Sequence, residues 1–235
     1  MKPPSPTVFY TSGLLLLTAS TGVIDAVSYI ALDRVFTGNM TGNVLFIGFG
    51  LIGVDGIPVL NNLLALVGFM LGAVVGARAA RRSLISGFAH SGGIVLVTSC
   101  IIIAVVSGSW LLASDLSTPQ QITITSILAA LMGAQVAAVK PIGNAEITTV
   151  VVTSTIANLA RESRLAGVGQ STHVWAQRLG AIIAMTIGAA LGAGLIKLSG
   201  GPASLALGAM TSACAAALIL IGSRRHFHVL AAYES

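Results

Sequence analysis

Charge is what this chain has least of. Only 8% of its 235 residues are Asp, Glu, Lys or Arg, while 55% are hydrophobic; a soluble domain carries about 25% charged residues. That deficit excludes a water-facing surface over most of the chain and points to an all-α transmembrane protein. Cysteine is scarce too: Cys100 and Cys214 both sit in apolar runs, so a disulfide framework or a thiolate metal cluster is not expected. The four histidines, His90, His173, His226 and His228, lack the spacing of a shared metal site. No paired carboxylates within an apolar run, no phosphate-cradling glycine loop and no serine nucleophile with a positioned base can be read. The expectation is therefore no enzyme, no catalytic residue, no metal and no cofactor. An excess of five positive charges would suggest nucleic acid in a soluble protein. In a membrane chain it is first a topology signal, and no nucleic-acid partner is expected. Lys2 before an apolar stretch imitates a signal peptide, but no A-x-A-like cleavage site follows.

What is present is a series of long charge-free intervals. About 20 helical residues, rising 1.5 Å each, cross roughly 30 Å of hydrocarbon. Intervals 56–77, 91–114, 116–139, 179–196 and 198–223 reach or approach that length, and 8–31 is interrupted only by Asp25. Pro58, Pro119 and Pro202 stand where first helical turns are expected, since a proline there loses no needed N–H. Two further intervals, 35–54 and 147–160, are rich in Thr, Gly, Asn and Ser, and the second is too short to cross.

The basic residues discriminate between topologies. If all eight intervals crossed, the twelve Lys and Arg would divide six to six. If 35–54 and 147–160 dip in and return, six spans remain with both termini cytoplasmic. Ten of the twelve then face the cytoplasm, with Arg34 and Lys197 outside. A seven-span arrangement in which 35–54 crosses divides the charges equally well. Repetition favours six. Leu71-Gly-Ala-Val-Val-Gly-Ala77 returns as Ile187-Gly-Ala-Ala-Leu-Gly-Ala193, and Thr37 and Thr41 correspond to Thr149 and Thr153. The expected fold is one membrane domain, 1–235, of two inverted three-span repeats, 8–114 and 116–223, each with a short re-entrant or broken Thr/Gly/Asn-rich segment. Gly68, Gly72, Gly76, Gly188 and Gly192 would line close helix contacts, between the halves or between protomers of a homo-oligomer.

Broken backbone at membrane depth survives only when buried in protein or lining a watery cavity. The candidate substrate-binding residues are accordingly Thr37, Asn39, Thr41, Gly42 and Asn43 in the first segment, Thr149 and Thr153 in the second, and Gln135. Glycines permit the turns, and hydroxyls and amides serve a ligand or the freed backbone. Helix capping and interhelical contact are the competing role for the same side chains. Asp25 is the one carboxylate placed inside a span, with Gln135 expected as its counterpart in the second half. It is a candidate coupling-ion site or, alternatively, a structurally paired residue near a helix end. Arg78, Arg81 and Arg82 read as a topology anchor near anionic lipid, and Trp110 and Trp175 as belt residues.

Gly22-Val-Ile-Asp-Ala-Val-Ser-Tyr29, Val35-Phe-Thr-Gly-Asn-Met-Thr-Gly-Asn43, Met132-Gly-Ala-Gln135 and Thr148-Thr-Val-Val-Val-Thr-Ser154 together resemble the YoaK-like family of bacterial integral membrane proteins. The resemblance spans nearly the whole chain and implies a multi-pass inner-membrane protein, without implying a substrate. Ser154 departs from the glycine expected there. Partners are then the lipid bilayer and an unknown small solute. The function expected is small-solute transport, with channel and structural or regulatory roles as alternatives.

Overall fold

The computed structural model describes residues 6–86, 88–113, 115–142, 152–163, 166–167 and 171–233, and these hold helices and no strand. The helices are α1 (Pro6–Ala31), α2 (Met40–Leu51), α3 (Val59–Ser86), α4 (Phe88–Leu112), α5 (Thr118–Val139), α6 (Val152–Arg161) and α7 (Thr172–Tyr233). Five of them, α1, α3, α4, α5 and α7, are long and apolar enough to cross a membrane. Helix α2, at 12 residues, is about 18 Å long and falls short of the hydrocarbon thickness.

Helix α7 resolves two expected spans into one bent element. Straight, its 62 residues would extend about 93 Å, three times the hydrocarbon thickness. Gly200 breaks it at φ 85°, ψ 175°, a conformation reserved almost wholly for glycine. Pro202 follows in the first turn of the second arm, where no N–H is missed. The arms then double back on each other: Ser204 Oγ donates to the Gly192 carbonyl at 3.0 Å.

Small residues set how the helices pack, because lipid offers no hydrophobic drive to bring helices together and close backbone approach must do it. Helix α1 runs parallel to the first arm of α7, with Gly188 against the Ala19 carbonyl and Gly192 against Val23. It runs antiparallel to the second arm: Gly13 meets Ile219 and Ala215, and Ser20 Oγ donates to the Gly208 carbonyl at 2.9 Å. Helix α3 lies parallel to α5, Gly72 on Ala130, Gly76 on Ala134 and Gly133 on Phe69. The expected glycine stripes therefore lie in contacts between segments 8–114 and 116–223. The core joins α1 to α5 in opposite directions. Ile24 and Val27 cluster with Leu128 and Met132, while Leu14 and Leu17 cluster with Val139. Helix α4 completes the bundle; Ser107 Oγ donates to the Pro202 carbonyl at 2.8 Å and Trp110 covers Gly201, so α4 ends beside the Gly200 bend.

Candidate functional site

The polar stretch Phe36–Asn43 is a return loop leading into a short helix. Helix α1 ends at Ala31, Arg34 takes a left-handed φ of 58°, and the chain turns back down the bundle. Val35 is buried there against Ala65 and Ala129. The loop next passes the Asp25 carboxylate, which is only 6% exposed. Asp25 Oδ1 accepts from the Thr37 N–H at 2.8 Å, the Thr37 hydroxyl at 2.9 Å and the Gly38 N–H at 2.7 Å. Oδ2 accepts from the Asn39 N–H at 3.2 Å. A buried charge is expensive without partners, and charge-assisted hydrogen bonds are the strong ones; here four donors converge on one carboxylate. A side chain at residue 38 would strike Thr21 and Asp25, so glycine is required by this close approach.

The remaining residues of the stretch divide by direction. Asn43, fully buried, clamps Phe36 from both sides: its Oδ1 accepts from the Phe36 N–H at 2.9 Å and its Nδ2 donates to the Phe36 carbonyl at 2.6 Å. Gly42 lies against the Phe36 ring, which stacks on Tyr29 at 4.8 Å between centroids. Asn39 caps α2, its Oδ1 accepting from the Gly42 N–H at 3.4 Å. Thr37 and Asn43 thus spend their polar atoms on the fold, whereas Asn39 and Thr41 open onto a cavity.

That cavity measures about 740 Å³. Gly38, Asn39, Met40 and Thr41 line one side and Val152 and Thr153 another, so the first turns of α2 and α6 meet at one space. Phe69 of α3, Val136 of α5 and the Ile182–Ala189 face of α7 close it, and its described walls carry no Asp, Glu, Lys or Arg. A neighbouring recess of about 310 Å³ shares Asn39, Met185 and Ala189 with it and extends to Asp25, Tyr29 and Phe36.

Of the candidate residues, Asn39, Thr41 and Thr153 share the cavity, Asp25 borders the adjoining recess, and Thr149 lies outside the described residues. Gln135 is 2% exposed, absent from both sets of walls, and its Nε2 has no hydrogen-bond partner among the described residues. Val136 supplies the α5 wall in its place.

Three participants escaped the sequence reading. Phe69, Met185 and Thr186 form cavity wall, but nothing separates a cavity-facing apolar residue from a lipid-facing one in sequence. An ion pair escaped it as well. Glu162, just past α6, joins Arg178 near the start of α7 at 2.9 Å, with Arg178 buried, and it also pairs with Arg161. These guanidinium hydrogen bonds, Arg161 first and Arg178 next, hold the Glu162 carboxyl below its ordinary range.

No solved structure matches this chain. Over 155 residues it is 32% identical to the UPF0700 transmembrane protein YoaK of Bacillus subtilis (strain 168), a stretch covering 63% of this chain and 65% of that relative's length. The same segments that build the cavity fall within residues 13–219, which match DUF1275, a family described as protein of unknown function, and the chain belongs to that family.

Proposed function

We propose that this protein is a small-solute transporter of the bacterial inner membrane, with six crossings arranged as two inverted three-span repeats, 8–114 and 116–223. The crossings are α1, α3, α4, α5 and the two arms of α7, while α2 and α6 stop partway and face each other by their first turns. Helix directions support inversion: α1 opposes its equivalent α5, and α3 opposes the first arm of α7. Register supports duplication. Gly22 meets the Met185 carbonyl and Ala189 nitrogen, and Gly133 meets those of Phe69 and Ala73; Gly188 meets Ala19 as Gly72 meets Ala130. Every equivalent pair stands 111 residues apart on the first helix of each half and 116 apart on the third. In that register Val136 answers to Asp25, and Gln135 to Ile24. With the glycine stripes used inside one chain, a homo-oligomer would have to form through other surfaces.

The observation that carries the transport reading is the convergence of two helix N-termini, with Asn39, Thr41 and Thr153, on one cavity of about 740 Å³. Broken helices meeting at a repeat interface are how inverted-repeat transporters hold solutes. The partial positive ends of α2 and α6 favour an anionic or carbonyl-bearing group on the solute. Hydroxyls and an amide without an acid–base pair favour binding and release over catalysis. The test is a thermal-shift screen of the purified protein against small solutes, since a binder stabilises the folded state by mass action. Each hit is then followed into proteoliposomes with the proton gradient intact or collapsed. Accumulation against a gradient supports a transporter, downhill flux alone indicates a channel, and absence of both binding and flux leaves a structural role.

A further inference from the structure

Asp33 and Asp25 are both drawn into the protein, yet the surroundings treat them oppositely. Asp25 receives four donors. Asp33 lies just beyond α1, where Oδ1 accepts from the Thr125 hydroxyl of α5 at 2.7 Å. Its Oδ2 is buried and has no hydrogen-bond partner among the described residues. On α3 the Asn61 side chain also approaches this carboxyl. The next residue, Asn62, is fully buried and donates its Nδ2 to the Pro58 carbonyl at 2.8 Å, leaving its Oδ1 without a partner among the described residues. One corner of the molecule, where α1 ends and α3 and α5 begin, therefore holds two buried acceptor oxygens lacking a donor.

A buried acceptor left unmatched is costly, and an ionised one more so. The elements packed against Asp33 present Asn61, Asn62 and Thr125, none of which titrates or carries charge. Arg34, next in the chain, is exposed, as are Asp55 and Asp115 on the loops before α3 and α5. Among the described residues no cation stands ready to neutralise the carboxylate. Burial pushes the Asp33 carboxyl above the ordinary carboxylate range, against the Thr125 hydroxyl hydrogen bond that favours its ionised form.

We propose that Asp33, rather than Asp25, is the proton-binding site of this protein: Oδ2 takes a proton from solvent hydronium and returns it to solvent water. Only an O–H bond forms and breaks, and Thr125 holds the other oxygen throughout. Asp25, whose four donors all come from the loop, is structural. Use of this proton to drive solute movement rests on the transport reading; binding of the proton does not.

Infrared difference spectroscopy of the purified protein during pH titration tests the proposal without any solute. The wild type is expected to show a carboxylic-acid carbonyl band that titrates above the ordinary Asp range, retained in Asp25→Asn and lost in Asp33→Asn. A band that survives Asp33→Asn, that vanishes with Asp25→Asn, or that is missing from the wild type overturns it. Thr125→Val, which keeps the carboxyl and removes its donor, should move the titration up by about one pH unit, and it carries the test should Asp33→Asn not fold. An unmoved titration in Thr125→Val counts against the site. Replacing choline by sodium at constant pH is expected to leave the band unchanged, and its disappearance would reassign the site to sodium. If the band behaves as expected while solute uptake ignores pH, the proton site stands and its coupling to transport fails.

Discussion

The Gly38 amide donates to Asp25 Oδ1 at 2.7 Å across thirteen residues of sequence. With the Thr37 and Asn39 amides beside it, it ties the loop before α2 to the C-terminal part of α1. The α2 N-terminus thereby stays aimed at the cavity.

Asp25→Ala should detach that loop. The buried Thr37 and Gly38 N–H groups and the Thr37 hydroxyl would lose their acceptor, as would the part-buried Asn39 N–H, and at about 1–3 kcal/mol per buried orphan the loss is on the order of 3–6 kcal/mol or more. Thermal unfolding in detergent should show Asp25→Ala well below wild type and Asp25→Asn between them. Wild-type stability in both variants would refute the anchoring role.

The cavity and the loop make opposite demands on neighbouring polar residues. Thr41→Val and Thr153→Val should weaken binding of any solute found in the screen while leaving the unliganded melting temperature nearly unchanged, because both side chains line the cavity. Asn43→Ala should instead lower the unliganded stability by about 2–4 kcal/mol, since it strands both the N–H and the carbonyl of Phe36. Equal stability losses in all three would mean that the cavity residues are structural.

Glycine substitutions offer a sharper contrast. A methyl group at Gly72 or Gly188 would occupy the space of the Ala130 or Ala19 carbonyl, so Gly72→Ala and Gly188→Ala should each cost about 1–3 kcal/mol or more through overpacking. Gly48 in α2 and Gly108 in α4 have open space around them, and alanine there should stabilise by about 0.5–1 kcal/mol. Melting curves of the four variants decide it; harmless substitution at Gly72 and Gly188 would remove the parallel glycine contacts from the argument.

Acidification should loosen α6. The Glu162 carboxyl is held low by Arg161 and Arg178, so its contribution is fully present above the unfolded-state value of about 4.3. It fades as pH falls through the lower folded value. Wild type and Glu162→Gln should therefore differ in melting temperature at neutral pH and converge in acid. A difference that is constant down to the lowest pH would deny the pair its role.

Topology has a direct check. If the chain crosses six times, as the internal repeat favours, reporter fusions at residues 4 and 232 should both read cytoplasmic. An external N-terminus would replace six crossings by seven.

Composition by itself determined that the chain is helical and lipid-embedded, because backbone in hydrocarbon must satisfy its own hydrogen bonds and 8% charge leaves no other solvent. The glycine spacing foretold the close contacts, since a small residue every fourth position presents one face. Tertiary structure alone decided which polar residue serves what. Asn43 and Asn39 differ by four positions in one motif, yet one clamps Phe36 and the other faces the cavity, because Arg34 reverses the chain and the return loop is drawn onto Asp25. Val136 rather than Gln135 faces the cavity because packing of Gly133 on Phe69 fixes how α5 is rotated. The pairing of Asp33 with Thr125 spans 92 residues; a hydroxyl at that distance leaves no local signal, because hydrogen-bond partners are chosen by where helices end in space.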